Sequence, residues 1–219
     1  MPALGLSGKV RQCLYQIWFC PDQPKELHYE RTNLTMRDGG TISIDWARAE
    51  ANKTFLWKEP SLGDSMLSAA QKKRRVCMVF PGLSGGSDRG YVKGLVRTLL
   101  TDGFEVAVFH NRGVCNTPYT SLEFADLSST EEVDAALAFV QEKAAGADLV
   151  GIGLSMGGNI ILRTAGMYGD KFPLKVIIAV NNPFDLNLAI NLMRGSAYEK
   201  NLAKELKRQL VCAEEMPED

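Results

Sequence analysis

Ser155 is the residue in this chain best placed to do covalent chemistry. It stands in Gly153-Leu154-Ser155-Met156-Gly157, directly after a short strand-like run (148–152) and directly before a stretch of helical character (156–168). A serine in a G-x-S-x-G pattern between a strand and a helix can occupy a tight turn that lifts its hydroxyl clear of a sheet. Gly153 and Gly157 carry no side chain, so the backbones flanking the turn can approach closely. The helix behind it offers free N–H groups and the positive end of a dipole. The N–H of Met156 would then face the oxygen of a tetrahedral intermediate. The plainer alternative is a glycine-rich turn whose hydroxyl merely caps the helix. The strand before the motif and the helix after it favour the nucleophile.

A second glycine-rich loop precedes it. Pro81-Gly82-Leu83-Ser84-Gly85-Gly86-Ser87 follows the apolar run Val76-Cys77-Met78-Val79-Phe80. The N–H of Leu83 is the candidate for a second oxyanion donor, with Gly82 close by. Alone, such a loop need be no more than a flexible turn; its order relative to Ser155 gives it weight. A serine nucleophile also needs a base and an acid. The chain has 2 histidines, His28 and His110, and both precede Ser155. His110 follows the strand-like run 104–109, next to Asn111-Arg112-Gly113. It could approach the site from the end of a sheet, but a histidine there is more often structural. Acids after Ser155 are Asp170, Asp185, Glu199, Glu205, Glu214, Glu215, Glu218 and Asp219. None of them is assigned a role.

These residues need a scaffold, and the periodicity supplies one. Residues 29–36 and 41–46 alternate with period two around Arg37-Asp38-Gly39-Gly40, the signature of a hairpin. Residues 52–73 read as a loop, and the basic run from Lys72 to Arg75 as a solvated approach to the next strand. Strand-like runs at 76–80, 104–109, 148–152 and 174–180 then alternate with helical patterns at 91–101, 131–143 and 156–168. Thr130 is the expected N-cap of the second helix, with Glu131 and Glu132 in its first turn. That order implies a parallel sheet with helices on both faces. Residues 185–213 read as a helical, amphipathic tail after Asn181-Asn182-Pro183.

The bulk numbers agree with one globular domain. The chain has 219 residues, 45% hydrophobic and 23% charged, with a formal net charge of -1, which gives no case for nucleic-acid binding. The 5 cysteines are scattered without CxxC spacing, so neither zinc nor a disulfide framework follows, and reduced thiols in a cytoplasmic setting are the simplest reading. No run reaches the roughly 18 apolar residues of a membrane span. The short aromatic stretch Leu14-Tyr15-Gln16-Ile17-Trp18-Phe19-Cys20 could lie on a membrane surface as a peripheral contact; packing on the domain is the plainer expectation.

With these pieces in order, the chain resembles the α/β-hydrolase superfamily. More narrowly it resembles the YheT-like branch, the AB-hydrolase-4 family, with its abhydrolase-domain lipases and embryogenesis-associated proteins. The segments that carry the resemblance are Thr35-Met36-Arg37-Asp38-Gly39-Gly40-Thr41 running to Asp45-Trp46, the loop from Pro81 to Ser87, Asn111-Arg112-Gly113, and Gly153-Leu154-Ser155-Met156-Gly157-Gly158-Asn159. Asn182-Pro183-Phe184-Asp185-Leu186 resembles the entrance to a cap. One departure stands inside the match: the first loop begins Pro81-Gly82 where the family usually has His-Gly.

The resemblance implies an α/β-hydrolase fold: a mostly parallel sheet with helices on both faces and an N-terminal antiparallel hairpin, incomplete at the C-terminus. It divides the chain into an N-terminal segment (1–24), a partial core (25–183) and the start of a helical cap (184–219). It implies a serine hydrolase of carboxylic esters, often acylglycerols or phospholipids, using no metal or organic cofactor. The family order is serine, acid, histidine, and no histidine follows Ser155 here, so no acid or base is transferred. The expectation is an incomplete copy of an ester hydrolase with little activity of its own. The alternative is a non-catalytic hydrolase-like protein that binds a lipid, a small ligand or a partner.

Overall fold

The apolar run after the basic stretch builds the centre of the molecule. In this computed structural model, which describes residues 27–55, 73–123 and 130–214, strand β3 (Arg75–Phe80) lies between two parallel neighbours, β4 (Glu105–His110) and β5 (Asp148–Leu154). A strand in that position is covered on both faces, which explains an apolar run without alternation. Val76, Cys77, Met78 and Val79 are all fully buried. Beyond β5 the parallel set continues with β6 (Val176–Val180). On the other side, β2 (Thr41–Ala47) pairs antiparallel with both β4 and β1 (Glu30–Thr35). The order across the sheet is β1-β2-β4-β3-β5-β6. The expected hairpin and the mostly parallel sheet are both present.

Helices cover the two faces unequally. Helix α1 (Gly90–Thr101) places Val92, Val96 and Leu100 against Cys77, Val79, Val106 and Val108. On the opposite face, α2 (Glu131–Lys143) and α3 (Met156–Tyr168) pack Val133, Leu137, Val140, Ile160 and Ile161 against Val76, Met78, Phe80, Ala107 and Phe109. Each such side chain taken out of water contributes about 1.5–3 kcal/mol. Arg112 ties the periphery together: it pairs with Asp38 in the hairpin turn and with Glu132 in α2.

Several expectations need correction. The segment expected to begin a loop at Asn52 instead contains a 3-10 turn, Glu50–Phe55. Asn52 is buried there because its side chain bonds the backbone of His28 in both directions and the Arg48 carbonyl. The basic run is not simply solvated. Lys73 pairs with Asp148, Arg74 with Glu105, and Arg75 donates to the Asp102 carbonyl while lying over the Phe104 ring. Thr130 stands at the start of α2 but does not cap its backbone: at φ -102° and ψ -7° it is already helical rather than extended, and its hydroxyl donates to the Asp134 carboxylate. The tail is helical as expected, in two helices, α4 (Leu186–Met193) and α5 (Ala197–Glu214), with a break where Gly195 takes φ 73°. No described helix is long and apolar enough to cross a membrane. The aromatic stretch 14–20 and residues 56–72 of the expected loop lie outside the described residues.

Candidate active site

Ser155 sits where β5 ends and α3 begins, with φ 53° and ψ -119°. A non-glycine residue in that left-handed region costs on the order of 1–3 kcal/mol and is held there by its surroundings. Those surroundings are visible. The Ser155 N–H donates to the Val180 carbonyl at 2.8 Å, and the Ser155 carbonyl accepts from Gly158 and Asn159. The Asn159 side chain reaches on to the Pro183 carbonyl. The flanking glycines are there for space. A Cβ on Gly153 would lie 2.5 Å from Gly158 Cα, and one on Gly157 would overlap the carbonyl oxygens of Phe80 and Pro81. Glycine at 157 is therefore what lets the start of α3 touch the end of β3 and the loop that follows it. The hydroxyl group is exposed, and no backbone N–H of the helix is capped by it. The bland alternative of a capping serine is not what the geometry gives.

The loop after β3 comes to the same spot. A Cβ on Gly82 would lie 3.4 Å from Ser155 Cβ. Leu83 follows it in the loop, half-buried, and Met156 directly after Ser155 opens α3. Gly82 itself is not free to donate: its N–H points to the Tyr91 hydroxyl at 3.3 Å. The loop is tightened by Gly85 N–H donating to the Gly82 carbonyl at 2.8 Å and by Ser84 at φ 57°.

Behind the loop is a polar cluster that pattern reading missed. Arg31 and Asp45 face each other across the hairpin, and the guanidinium donates to both carboxylate oxygens, at 2.7 and 2.8 Å. The Ser87 hydroxyl donates to Asp45 Oδ2 at 2.5 Å, and the Ser87 N–H donates to His110 Nε2 at 3.0 Å. The far end of the loop is thus pinned to β2 and β4. Burial drives the Asp45 carboxyl up, but its bonds from Arg31 and Ser87 outweigh that and hold its pKa below the ordinary value. Burial pushes the His110 pKa down to about 4, against the pull of Asp45. His110 is therefore neutral, fully buried, and uses Nε2 as an acceptor. It is the structural histidine that its position suggested. The hairpin register could have revealed the Arg31–Asp45 pair; nothing in the sequence marks Ser87 or His110 as its partners.

Two further features bear on the chemistry. Asp45, His110 and Cys115 offer ligand atoms within 4.8 Å of one another. They do not suit a cation, because both Asp45 oxygens are already engaged and the Arg31 charge occupies the same place. A cleft of about 290 Å3 opens on that hairpin side, lined by Tyr29, Arg31, Asp45, Ser87 and Lys93, and Ser155 is not part of it. Of the acids after Ser155, Asp185 accepts from the Leu188 N–H at 2.9 Å and so caps α4, Glu199 accepts from the Gly195 N–H, and Asp170 lies exposed in a 3-10 turn.

Residues 71–210 match the hydrolase family described as serine aminopeptidase, S33. The chain belongs to this α/β-hydrolase family. It is 30% identical over 183 residues to the embryogenesis-associated protein EMB8 of Picea glauca, covering 81% of this chain and 38% of the relative. It is 27% identical over 149 residues to phospholipase ABHD3 of Bos taurus (68% of this chain, 33% of the relative). The putative esterase YheT of Escherichia coli is 28% identical over 178 residues (81% and 46%). The chain thus spans less than half the length of each of these relatives. Among solved structures, the Pyrococcus furiosus esterase Pf2001 shares the fold with a TM-score of 0.53 at 16% identity, over 74% of this chain and 54% of that one.

Proposed function

We propose that Ser155 is the nucleophile of a carboxylic ester hydrolase whose substrates are lipids or small esters. The observation that carries this is the elbow: an exposed hydroxyl held at φ 53° between β5 and α3, with the loop at Gly82 pressed against it. Ser155 Oγ would attack the ester carbonyl while Leu83 and Met156 N–H groups stabilise the oxyanion. A base would take the serine proton and return it to the leaving alcohol. The ester preference is supported by relatives named as phospholipase, monoacylglycerol lipase and esterase. His110 cannot serve as the base, since it is buried and its Nε2 is engaged. This chain alone should therefore turn over esters very slowly.

Added imidazole can stand in for a missing histidine, and that makes the proposal testable. Hydrolysis of p-nitrophenyl butyrate and of leucine p-nitroanilide is measured with increasing imidazole, and the Ser155→Ala rate is subtracted. The expected result is a Ser155-dependent rate on the ester that rises with imidazole, and little on the anilide. A Ser155-dependent rate on the anilide that equals or exceeds the ester rate would overturn the ester assignment. No Ser155-dependent rate on either would favour a non-catalytic, ligand-binding role.

A further inference from the structure

Tyr91 is a residue that neither the motif nor the fold requires at the site. It lies in the first turn of α1, and its hydroxyl reaches back into the turn made by Gly82 and Gly85. A Cβ on Gly85 would overlap that hydroxyl, so the loop is built to admit it. A Cβ on Gly82 would lie 3.4 Å from Ser155 Cβ and 3.7 Å from the Tyr91 hydroxyl. The two hydroxyl-bearing side chains therefore border the same small space beside Gly82. Among the described residues, the Tyr91 oxygen has one hydrogen-bond partner, the Gly82 N–H at 3.3 Å, and in that bond it is the acceptor. Its own proton is left to donate. Burial raises the Tyr91 pKa, so the proton is kept throughout the neutral range.

We propose that Tyr91 is a catalytic residue, a side-chain donor that completes the oxyanion hole beside the backbone N–H groups. This rests on the reading of Ser155 as nucleophile. As Ser155 Oγ bonds to the carbonyl carbon, its proton passes to water or an added base, and the C=O π pair moves onto oxygen. Tyr91 donates a hydrogen bond to that oxygen and keeps its proton. The Gly82 N–H orients it: by donating to the phenol oxygen it polarises the O–H and leaves only the opposite side for donation. The same bond explains why Gly82 is not itself an oxyanion donor.

Phenylboronic acid tests this without requiring turnover. Ser155 Oγ bonds to boron, the serine proton leaves to solvent, and the tetrahedral anion places an oxygen where the oxyanion would form. Affinity is measured by calorimetry for the full chain, Ser155→Ala, Tyr91→Phe, and a chain carrying 3-fluorotyrosine at position 91, with thermal midpoints alongside. The expected result is Ser155-dependent binding that weakens about tenfold or more in Tyr91→Phe at an unchanged midpoint, the size of one hydrogen bond to a charged group. The fluorinated residue, a stronger donor, should bind at least as tightly as tyrosine and shift its 19F resonance on binding. Equal affinity for Tyr91→Phe with no 19F shift overturns the role of Tyr91 and leaves Ser155 standing. Absence of Ser155-dependent binding in the unaltered chain overturns both.

Discussion

At one edge of the sheet β1 carries Glu30, Arg31, Thr32 and Asn33; at the other, β6 presents Val176, Ile178 and Val180, each 40% to 53% exposed. The β1 edge is closed by charge: Arg31 pairs with Asp45, and Glu30 with Arg48 and Lys143. The β6 edge continues into α4, where Leu186, Leu188, Ile190 and Leu192 are exposed and no residue is buried. An apolar strand edge and an apolar helix face in water are surfaces made to be covered. Ser155 sits between these two regions. On one side, the loop that ends at Ser87 is braced by Asp45 and His110; on the other, Ser155 leans on β6 through the Val180 carbonyl. The loop side of Ser155 is thus held by contacts inside the sheet, while its β6 side borders exposed apolar surface.

The sharpest contrast is in stability. Trp46 on β2 is 2% exposed and bonds Glu105, so Trp46→Ala should cost about 3–5 kcal/mol in urea unfolding. Ile178→Ala on β6 should cost less than about 1 kcal/mol. A loss from Ile178→Ala as large as that from Trp46→Ala would break the comparison, since it would mean that β6 is covered.

Acid should act on the braced side. In the folded chain His110 titrates near 4, below its ordinary 6.5, so as pH falls the unfolded chain takes up the proton first. Stability is then full above pH 6.5, declines down to about pH 4 and levels below, a loss on the order of 3 kcal/mol. Between pH 6.5 and 5, where carboxylates contribute little, His110→Asn should flatten the slope seen in urea midpoints. A slope unchanged in the variant would remove His110 from the brace.

Two glycines on α3 should respond with opposite signs. Gly157→Ala drives a methyl into the Phe80 and Pro81 carbonyls and should cost about 1–3 kcal/mol. Gly166 has nothing within 4 Å of an added Cβ, and Gly166→Ala should gain about 0.5–1 kcal/mol. Equal effects would show that the close approach behind Ser155 is relaxed in solution. The smallest change in stability, within about 0.5 kcal/mol, is expected for Ile178→Lys. Its light scattering at high concentration should nevertheless fall well below that of the unaltered chain, because a charge blunts an edge. Unchanged scattering would clear β6 of any part in self-association.

The elbow was legible because G-x-S-x-G between a strand and a helix encodes a local turn, and local turns are written in consecutive residues. The same holds for the hairpin at Asp38-Gly39 and for the buried strand 76–80. What escaped reading depends on residues brought together from far apart. Ser87 meets Asp45 across 42 positions and His110 across 23, and no period or spacing marks such a pair. Thr130 shows the converse: the right residue type stands at the helix start, but its backbone is helical rather than extended, so its hydroxyl bonds Asp134 and caps nothing. The helical character of 185–213 is legible as well; the break at Gly195, where φ is positive, is not marked by the amphipathic pattern.

The central claim is the proposal that Ser155 is a nucleophile that an added base can activate. A fluorophosphonate probe tests it most directly, with the adduct mapped by mass spectrometry at increasing imidazole. The account predicts a single adduct on Ser155, forming slowly without imidazole, faster with each increment, and absent from Ser155→Ala. A folded chain that never carries an adduct on Ser155 at any imidazole concentration would contradict it.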